Sequence, residues 1–123
     1  MRMSDQEYFR SCIAKERQLA QLLGHRHIEE CYESAGTLWD GNQALPQWTR
    51  DWRACGPLLA RYRLSVVFDA EEEGWVRISG VTVQVADHPT RERAVMYGVV
   101  KALIHRLEHG GAGAGVGGAA QPA

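Results

Sequence analysis

The stretch 48–87 constrains the fold most strongly, because a helical pattern in it runs directly into strand patterns. Its first part, WTRDWRACGPLLARYR, predicts a helix whose apolar face is formed by Trp52, Cys55, Leu59 and Tyr62. We expect this helix to begin near Thr49, whose hydroxyl is a suitable cap. Proline removes a backbone donor, so Gly56-Pro57 predicts a kink or a break in the helix.

Three apolar segments follow the helix: LSVVFD, GWVRI and VTVQVAD. In the first, Leu64, Val66 and Phe68 alternate with their neighbours, which predicts a strand with one buried face. The acidic run Glu71–Glu73 predicts a solvated hairpin tip, and Ser79-Gly80 predicts a second turn or a bulge. The stretch therefore predicts a helix that feeds an antiparallel sheet.

A capping-box pattern at Ser4 and Glu7 predicts a helix over 5–23, and the glycine that follows is a typical stop. The next segment, 25–46, has no sustained periodicity and is rich in turn-forming residues. We interpret it mostly as a loop, with a short strand or helical turn left open at 28–33. Such long connections often carry function.

The C-terminal part of the chain predicts one more helix and a tail. A broad apolar face over 94–107 predicts a helix that covers the sheet, and Gly98 would let that helix approach the strands closely. The Gly/Ala-rich tail 110–123 has almost nothing to bury, which predicts disorder. We therefore predict one α+β domain over 1–109, with an antiparallel three- to four-stranded sheet packed against helices.

Composition argues against several classes of protein. The 14 basic and 15 acidic residues nearly cancel, so no strong overall field favours nucleic acid or an anionic membrane. No apolar run approaches the ~20 residues of a membrane helix, and the first residues lack a signal-peptide core, so we expect a cytoplasmic protein. Three widely spaced cysteines, Cys12, Cys31 and Cys55, favour reduced thiols over a disulfide framework.

Two groups of residues would be able to bind a metal. His25, His27 and Cys31 lie in one short segment, while His105 and His109 are one helical turn apart. The spacing HxHxxxC is not a structural-zinc signature, and no CxxC or paired acidic ligand completes it. We therefore favour surface histidines and predict no metal and no cofactor.

A cysteine nucleophile is the remaining catalytic candidate. Cys55 has arginines nearby in the sequence, but its position on the apolar helix face favours a packed core thiol. The chain has no GxSxG, HExxH or phosphate-loop pattern. We predict no enzymatic activity and assign no catalytic residue, although a metal-dependent enzyme stays as a third alternative.

Nucleic-acid binding is a stronger alternative, because arginine suits phosphate groups and the chain has an arginine cluster: Arg50, Arg53, Arg61, Arg63, Arg91 and Arg93. Acidic neighbours such as Asp51 and Glu92 oppose this interpretation, since they neutralise the field of the cluster.

The order of these segments resembles the phage ABA sandwich domain family. The resemblance covers roughly 5–108 and rests on ECYESAGTLWDG, WTRDWRACGPLLARYRLSV, the strand that begins with GW, VADHP and the closing helix RAVMYGVVKALIHRLE. It implies an antiparallel sheet packed between helices, in an accessory protein of tailed phages and prophages, and it supplies no catalytic residues. The glycine-rich tail departs from the family pattern.

These observations favour a non-enzymatic phage or prophage protein in the bacterial cytoplasm that binds a host or phage protein. Inhibition of a bacterial defence system is the role to test first, and a homodimer stays open. We place the partner surface on 38–53, because large aromatic and arginine side chains anchor interfaces: Trp39, Trp48, Arg50 and Arg53, with Tyr32 as a further candidate. The alternative is that these aromatic side chains cover the core.

Overall fold

A computed structural model describes residues 3–31, 36–71 and 74–110. In these ranges the chain forms three α-helices, which are α1 (Asp5–Leu22), α2 (Trp52–Arg61) and α3 (Arg91–His105). Two three-stranded antiparallel sheets accompany them. The first contains β1 (Ile28–Cys31), β2 (Thr37–Asp40) and β3 (Gln43–Ala44), and the second contains β4 (Val66–Phe68), β5 (Trp75–Ile78) and β6 (Val81–Gln84).

The α+β class is confirmed, but the strands form two sheets rather than one. The helix α3 packs on β5 and β6 and also contacts α1 and α2, so it lies at the centre of the core. Short helical turns flank it at Val85–Asp87 and Arg106–Gly110. None of the helices in the described ranges is long and apolar enough to cross a membrane.

The predicted N-terminal helix is confirmed together with its cap. The Ser4 hydroxyl accepts from the Glu7 amide at 3.1 Å, and the Ser4 amide donates to the Glu7 carboxylate at 3.0 Å. Gly24 follows the helix with a φ of +106°, a left-handed conformation that glycine adopts without strain.

The prediction of a mostly irregular segment at 25–46 is only partly right. The strand left open at 28–33 is present as β1, but β2 and β3, which complete the first sheet, were not predicted. Its strands are so short that periodicity in the sequence does not reveal them. Asp40 pairs with Gln43 across a two-residue turn at Gly41 and Asn42, and Gly41 has a φ of +66°. This glycine–asparagine turn is a recognised hairpin signal in the sequence.

The second helix differs from the prediction in three respects. It begins at Trp52 with Asp51 as its cap, so Thr49 is not the cap. It runs through Pro57 without a break in the helix, so the predicted division into two pieces is not observed. Its buried side chains are Cys55 and Leu58, whereas Trp52 is 41% exposed and does not belong to the buried face.

The predicted hairpins of the second sheet are confirmed. Ser79 and Gly80 have φ angles of 47° and 92°, which is the left-handed pair that a tight two-residue turn between β5 and β6 requires. The buried face consists of Val76, Ile78 and Val83. The expectation that β4 has a well-buried face is wrong, as described below.

The closing helix is confirmed as a cover for the sheet. The Thr90 hydroxyl caps it by accepting from the Arg93 amide at 3.0 Å. Gly98 lies against the sheet so closely that an added Cβ would be 2.5 Å from Cδ1 of Ile78. The predicted close approach of helix and strands at Gly98 is therefore confirmed. Residues 111–123 of the predicted tail and the residues Tyr32, Glu72 and Glu73 lie outside the described ranges.

Candidate functional site

Three large apolar side chains are exposed around β4 and the start of α2. Trp52 is 41% exposed, Val67 is 50% exposed and Phe68 is 53% exposed. Trp52 and Phe68 line the same groove, and Val67 precedes Phe68 on the strand. An apolar cluster of this kind on the surface of a folded chain is typical of an interaction site.

The exposure of Phe68 follows from the way the sheet is covered. Phe68 pairs with Val76, and Val66 pairs with Ile78, so Val66 and Phe68 share the face on which the fully buried Val76 and Ile78 lie. However, α3 packs mainly on β5 and β6. Phe68 therefore lies on the face that the helices pack against, but at the edge strand, which α3 covers less than β5 and β6.

A groove of about 310 Å³ lies on this side of β4. Its apolar walls come from α2, β4 and α3, and they are Trp52, Leu59, Val66, Phe68 and Val95. Arg91 and Glu92, from the first turn of α3, line it as well. An apolar groove with a few charged groups beside it suits the side chain of another protein.

A second hollow of about 250 Å³ also involves Phe68. It is more polar, because Asp69 and Glu71 contribute carboxylates to it, alongside Trp75, Val85 and Arg91. We use the name β4 surface for the apolar residues Trp52, Leu59, Val66, Val67, Phe68 and Val95.

The strand β4 is also an edge strand, since the second sheet has the order β4-β5-β6. The Ser79 amide donates to Ser65 at 3.0 Å, and the Asp69 amide donates to Trp75 at 2.9 Å. Hydrogen-bonded pairs alternate along an antiparallel ladder, so Val66 and Phe68 direct their backbone N–H and C=O groups away from β5. In the described part of the chain no backbone group outside β5 bonds to them.

The structure does not bring the four predicted partner residues together as an exposed surface. Trp48 is 5% exposed and belongs to the hydrophobic core, so its assignment as an exposed anchor is wrong. Trp39 is half-buried on β2, and its indole Nε1 has no partner among the described residues. Arg53 is exposed in the first turn of α2.

Arg50 makes contacts within the fold and does not form part of an exposed partner surface. Its Nε and Nη2 donate to the two carboxylate oxygens of Glu16 at 3.1 and 2.5 Å, and Glu16 is 1% exposed. Glu16 also accepts from the amide and the hydroxyl of Thr49 at 3.1 and 2.6 Å. The guanidinium lies over the ring of Phe9 at 5.5 Å and donates to the Gly36 carbonyl at 3.0 Å. These contacts connect α1 with the segment before α2.

The arginine cluster does not form a single face either. Arg50 points into the fold, and Arg93 lies 3.7 Å from Cys12 Sγ and over the ring of Tyr8 at 5.4 Å. Arg61 lies over the ring of Tyr62 at 5.8 Å. At least two of the arginines considered for phosphate binding are therefore committed to internal contacts.

The candidate metal ligands do not converge. His25 lies 2.7 Å from the carboxylate of Asp40, and the rings of His105 and His109 are 4.6 Å apart on the last helical turns. Within the ranges 3–31, 36–71 and 74–110, no group of three or more His, Cys, Asp or Glu side chains is arranged to hold a metal ion.

A buried polar cluster between α1 and α3 was not predicted. The Tyr8 hydroxyl lies 2.6 Å from His88 Nδ1, and Ser11 Oγ lies 2.5 Å from the Tyr97 hydroxyl. Burial raises the pKa of Tyr8 far above its usual value, which keeps its hydroxyl neutral. These groups bond to one another, so we assign the cluster to the packing of the two helices.

Cys55 is an unreactive thiol. It is 0% exposed, and burial raises the pKa of its thiol to about 12. A thiolate is the nucleophilic form of cysteine, and this environment disfavours it. The interpretation of Cys55 as a packed core thiol is therefore supported by its position and by its acidity.

Comparison with known proteins adds no relative: no family profile, curated protein or solved structure matches the chain.

One sequence signal could have located the β4 surface. Val66, Val67 and Phe68 are three consecutive apolar residues in a strand, and successive side chains of a strand point to opposite faces. At least one of them must therefore point away from the core of a sheet that is covered on one side only. The exposure of Trp52 and Phe68 has no comparable signal, because it depends on where α2 and α3 end relative to the strand.

Proposed function

We propose that this chain is a non-enzymatic interaction protein that binds another protein chain through the β4 surface. The observation that carries the proposal is the coincidence of exposed Trp52 and Phe68 with an apolar groove beside the edge strand β4, whose opposite face exposes Val67. Each of these features attracts protein partners, and here they occur at one place.

The physical chemistry favours a protein partner over a small charged ligand. Transfer of one large apolar side chain from water to a buried site contributes roughly 1.5–3 kcal/mol, and aromatic residues dominate the energetics of interfaces. The open edge adds backbone hydrogen-bonding groups that only another polypeptide strand matches along its length. The groove itself offers few polar groups for orienting a small molecule.

The phage or prophage origin, the bacterial cytoplasm as the place of action and the inhibition of a defence system are further parts of the proposal. They rest on the sequence resemblance to the phage ABA sandwich domain family, and the partner would accordingly be a host or phage protein. The β4 surface replaces Trp39, Trp48, Arg50 and Arg53 as the proposed binding site, because Trp48 and Arg50 stabilise the fold.

Affinity capture from bacterial lysate, followed by mass spectrometry, tests the proposal. Wild type and two variants serve as baits: Phe68→Ser, and Leu23→Ser as a matched control at an apolar residue that is 36% exposed at the end of α1. We expect Phe68→Ser to lose proteins that wild type and Leu23→Ser both retain, since a central aromatic anchor is worth about 2 kcal/mol or more.

Two results would contradict the proposal. Equal capture by all three baits would place the binding site elsewhere. Capture that disappears when the lysate is treated with nuclease would favour nucleic-acid binding, because phosphate contacts would then mediate it.

A further inference from the structure

We infer that a second copy of the same chain pairs with β4 along its open edge. In this arrangement the two β4 strands run antiparallel, with Val66 of each copy opposite Phe68 of the other. The two sheets then form one continuous six-stranded sheet. The inference rests on the proposed function, because it names the partner chain for the same surface.

The backbone geometry of β4 permits this pairing. Val66 and Phe68 are the residues whose N–H and C=O groups face away from β5. When Val66 lies opposite Phe68 of the second copy, the N–H of each residue donates to the C=O of the other, so the pair forms two backbone hydrogen bonds. The arrangement has a twofold axis beside Val67, so the interface is isologous and closes on itself.

The same pairing accounts for the exposed apolar side chains. Val67 of one copy comes to lie directly opposite Val67 of the other, on the face of the sheet that points away from the helices. On the opposite face, Phe68 comes to lie beside Val66 of the second copy. Both Val67 and Phe68, which are about half exposed in the single chain, then acquire apolar neighbours.

The charges at the two ends of β4 are complementary in this register. Arg63 and Glu71 are each four residues from Val67 and lie in the turns beyond the ends of β4, so antiparallel pairing brings Arg63 of each copy to the same end of the interface as Glu71 of the other. Arg63 and Glu71 are both exposed, and within the described ranges neither forms an ion pair. The sequence from 63 to 71 begins with a cation and ends with an anion, so antiparallel self-pairing places opposite charges together at both ends.

Sedimentation equilibrium of the full chain from micromolar to millimolar concentration tests the inference. Wild type is expected to approach twice the chain mass of 13.7 kDa. Phe68→Pro is expected to remain monomeric, because proline removes the outward N–H of position 68 without deleting a hydrogen bond to β5. Circular dichroism checks that this variant is folded.

A charge-exchange pair of variants keeps the test independent of Phe68. Arg63→Glu and Glu71→Arg each replace both ion pairs of the dimer by like charges, and each is expected to weaken dimerisation by roughly tenfold. A mixture of the two variants restores an opposite-charge pair at both ends, so it is expected to form a heterodimer with the wild-type affinity. Arg26→Glu, at an exposed arginine outside the β4 surface, is the control and should leave dimerisation unchanged.

The outcomes separate this inference from the proposed function. A wild-type chain that stays monomeric at millimolar concentration overturns the inference, whereas selective loss of captured proteins with Phe68→Ser would still support protein binding by the β4 surface. A dimer that persists in folded Phe68→Pro and in both charge variants also overturns the inference, since its interface would lie elsewhere. Recovery of the dimer only on mixing supports the proposed register.

Discussion

The contact between Glu16 and Arg50 gives the sharpest prediction for stability. Replacement of Arg50 by methionine keeps most of the side-chain volume but removes the one cation that, among the described residues, contacts the carboxylate of Glu16. Because Glu16 is 1% exposed, its charge is then buried without a countercharge, although Thr49 still donates two hydrogen bonds to it. We expect Arg50→Met to lower the free energy of unfolding by about 3–5 kcal/mol, which is the usual cost of removing one partner of a buried ion pair.

That loss is large against the ~5–15 kcal/mol by which folded domains are typically stable. For a domain of this size each kcal/mol lost lowers the melting temperature by roughly 4 °C. Urea denaturation followed by circular dichroism measures it. Glu16→Gln in the Arg50→Met background should recover part of the stability, because a neutral amide costs less to bury than a carboxylate and its oxygen still accepts from Thr49.

A loss below about 1 kcal/mol for Arg50→Met would refute this reasoning, since exposed ion pairs contribute no more than that. Failure of Glu16→Gln to improve on Arg50→Met would refute it as well, because the cost would then not come from the buried charge.

Three further predictions concern other parts of the fold. Gly98→Ala should destabilise the protein in spite of the helix propensity of alanine, by about 1–3 kcal/mol for overpacking, and Ile78→Val should relieve part of that loss in a double-mutant cycle because it removes the methyl group that the new Cβ would meet. Additive losses in denaturant titrations would show that the two residues are not in contact. Cys55 should resist labelling by a thiol reagent at pH 8 in the folded protein and react after unfolding, and rapid labelling under native conditions would disprove its burial. The hydrogen bonds from Arg10 hold the pKa of Glu30 below its usual value. The pair therefore stabilises the folded state at a pH above the unfolded-state pKa of Glu30. This stabilisation disappears as the pH falls through the lower folded-state pKa. Glu30→Gln should flatten this part of the acid-side stability curve, and an unchanged curve would show that the pair contributes nothing.

Elements with strong local signals could be predicted from the sequence. The capping box at Ser4 and Glu7, the apolar face of α3 and the Ser79-Gly80 turn each depend on residues that are neighbours in the chain. Periodicity and capping report such local preferences directly. The strands β2 and β3 were missed because they span only two to four residues, which is too short for periodicity, although the turn at Gly41 and Asn42 was visible.

The position of the candidate site could not be predicted for a different reason. Alternation in β4 indicates which side of the strand a residue faces, but it does not indicate whether a helix covers that side. Phe68 faces the helical layer and is still 53% exposed, because the cover from α3 falls mainly on β5 and β6. Residue type alone placed Trp48 and Arg50 on a partner surface. In the structure Trp48 packs in the hydrophobic core, and Arg50 bonds to Glu16, which precedes it by 34 positions.

Site-specific photocrosslinking in bacterial lysate tests the central claim most directly, because it reports contact at one position regardless of which protein binds. A photoreactive phenylalanine analogue is placed at position 68, at 39 or at 23 in otherwise wild-type chains. We expect discrete protein adducts from position 68, whether with a second copy or with another protein, and none from position 23. Adducts from position 39 with none from position 68 would contradict the account and place the binding site on the first sheet.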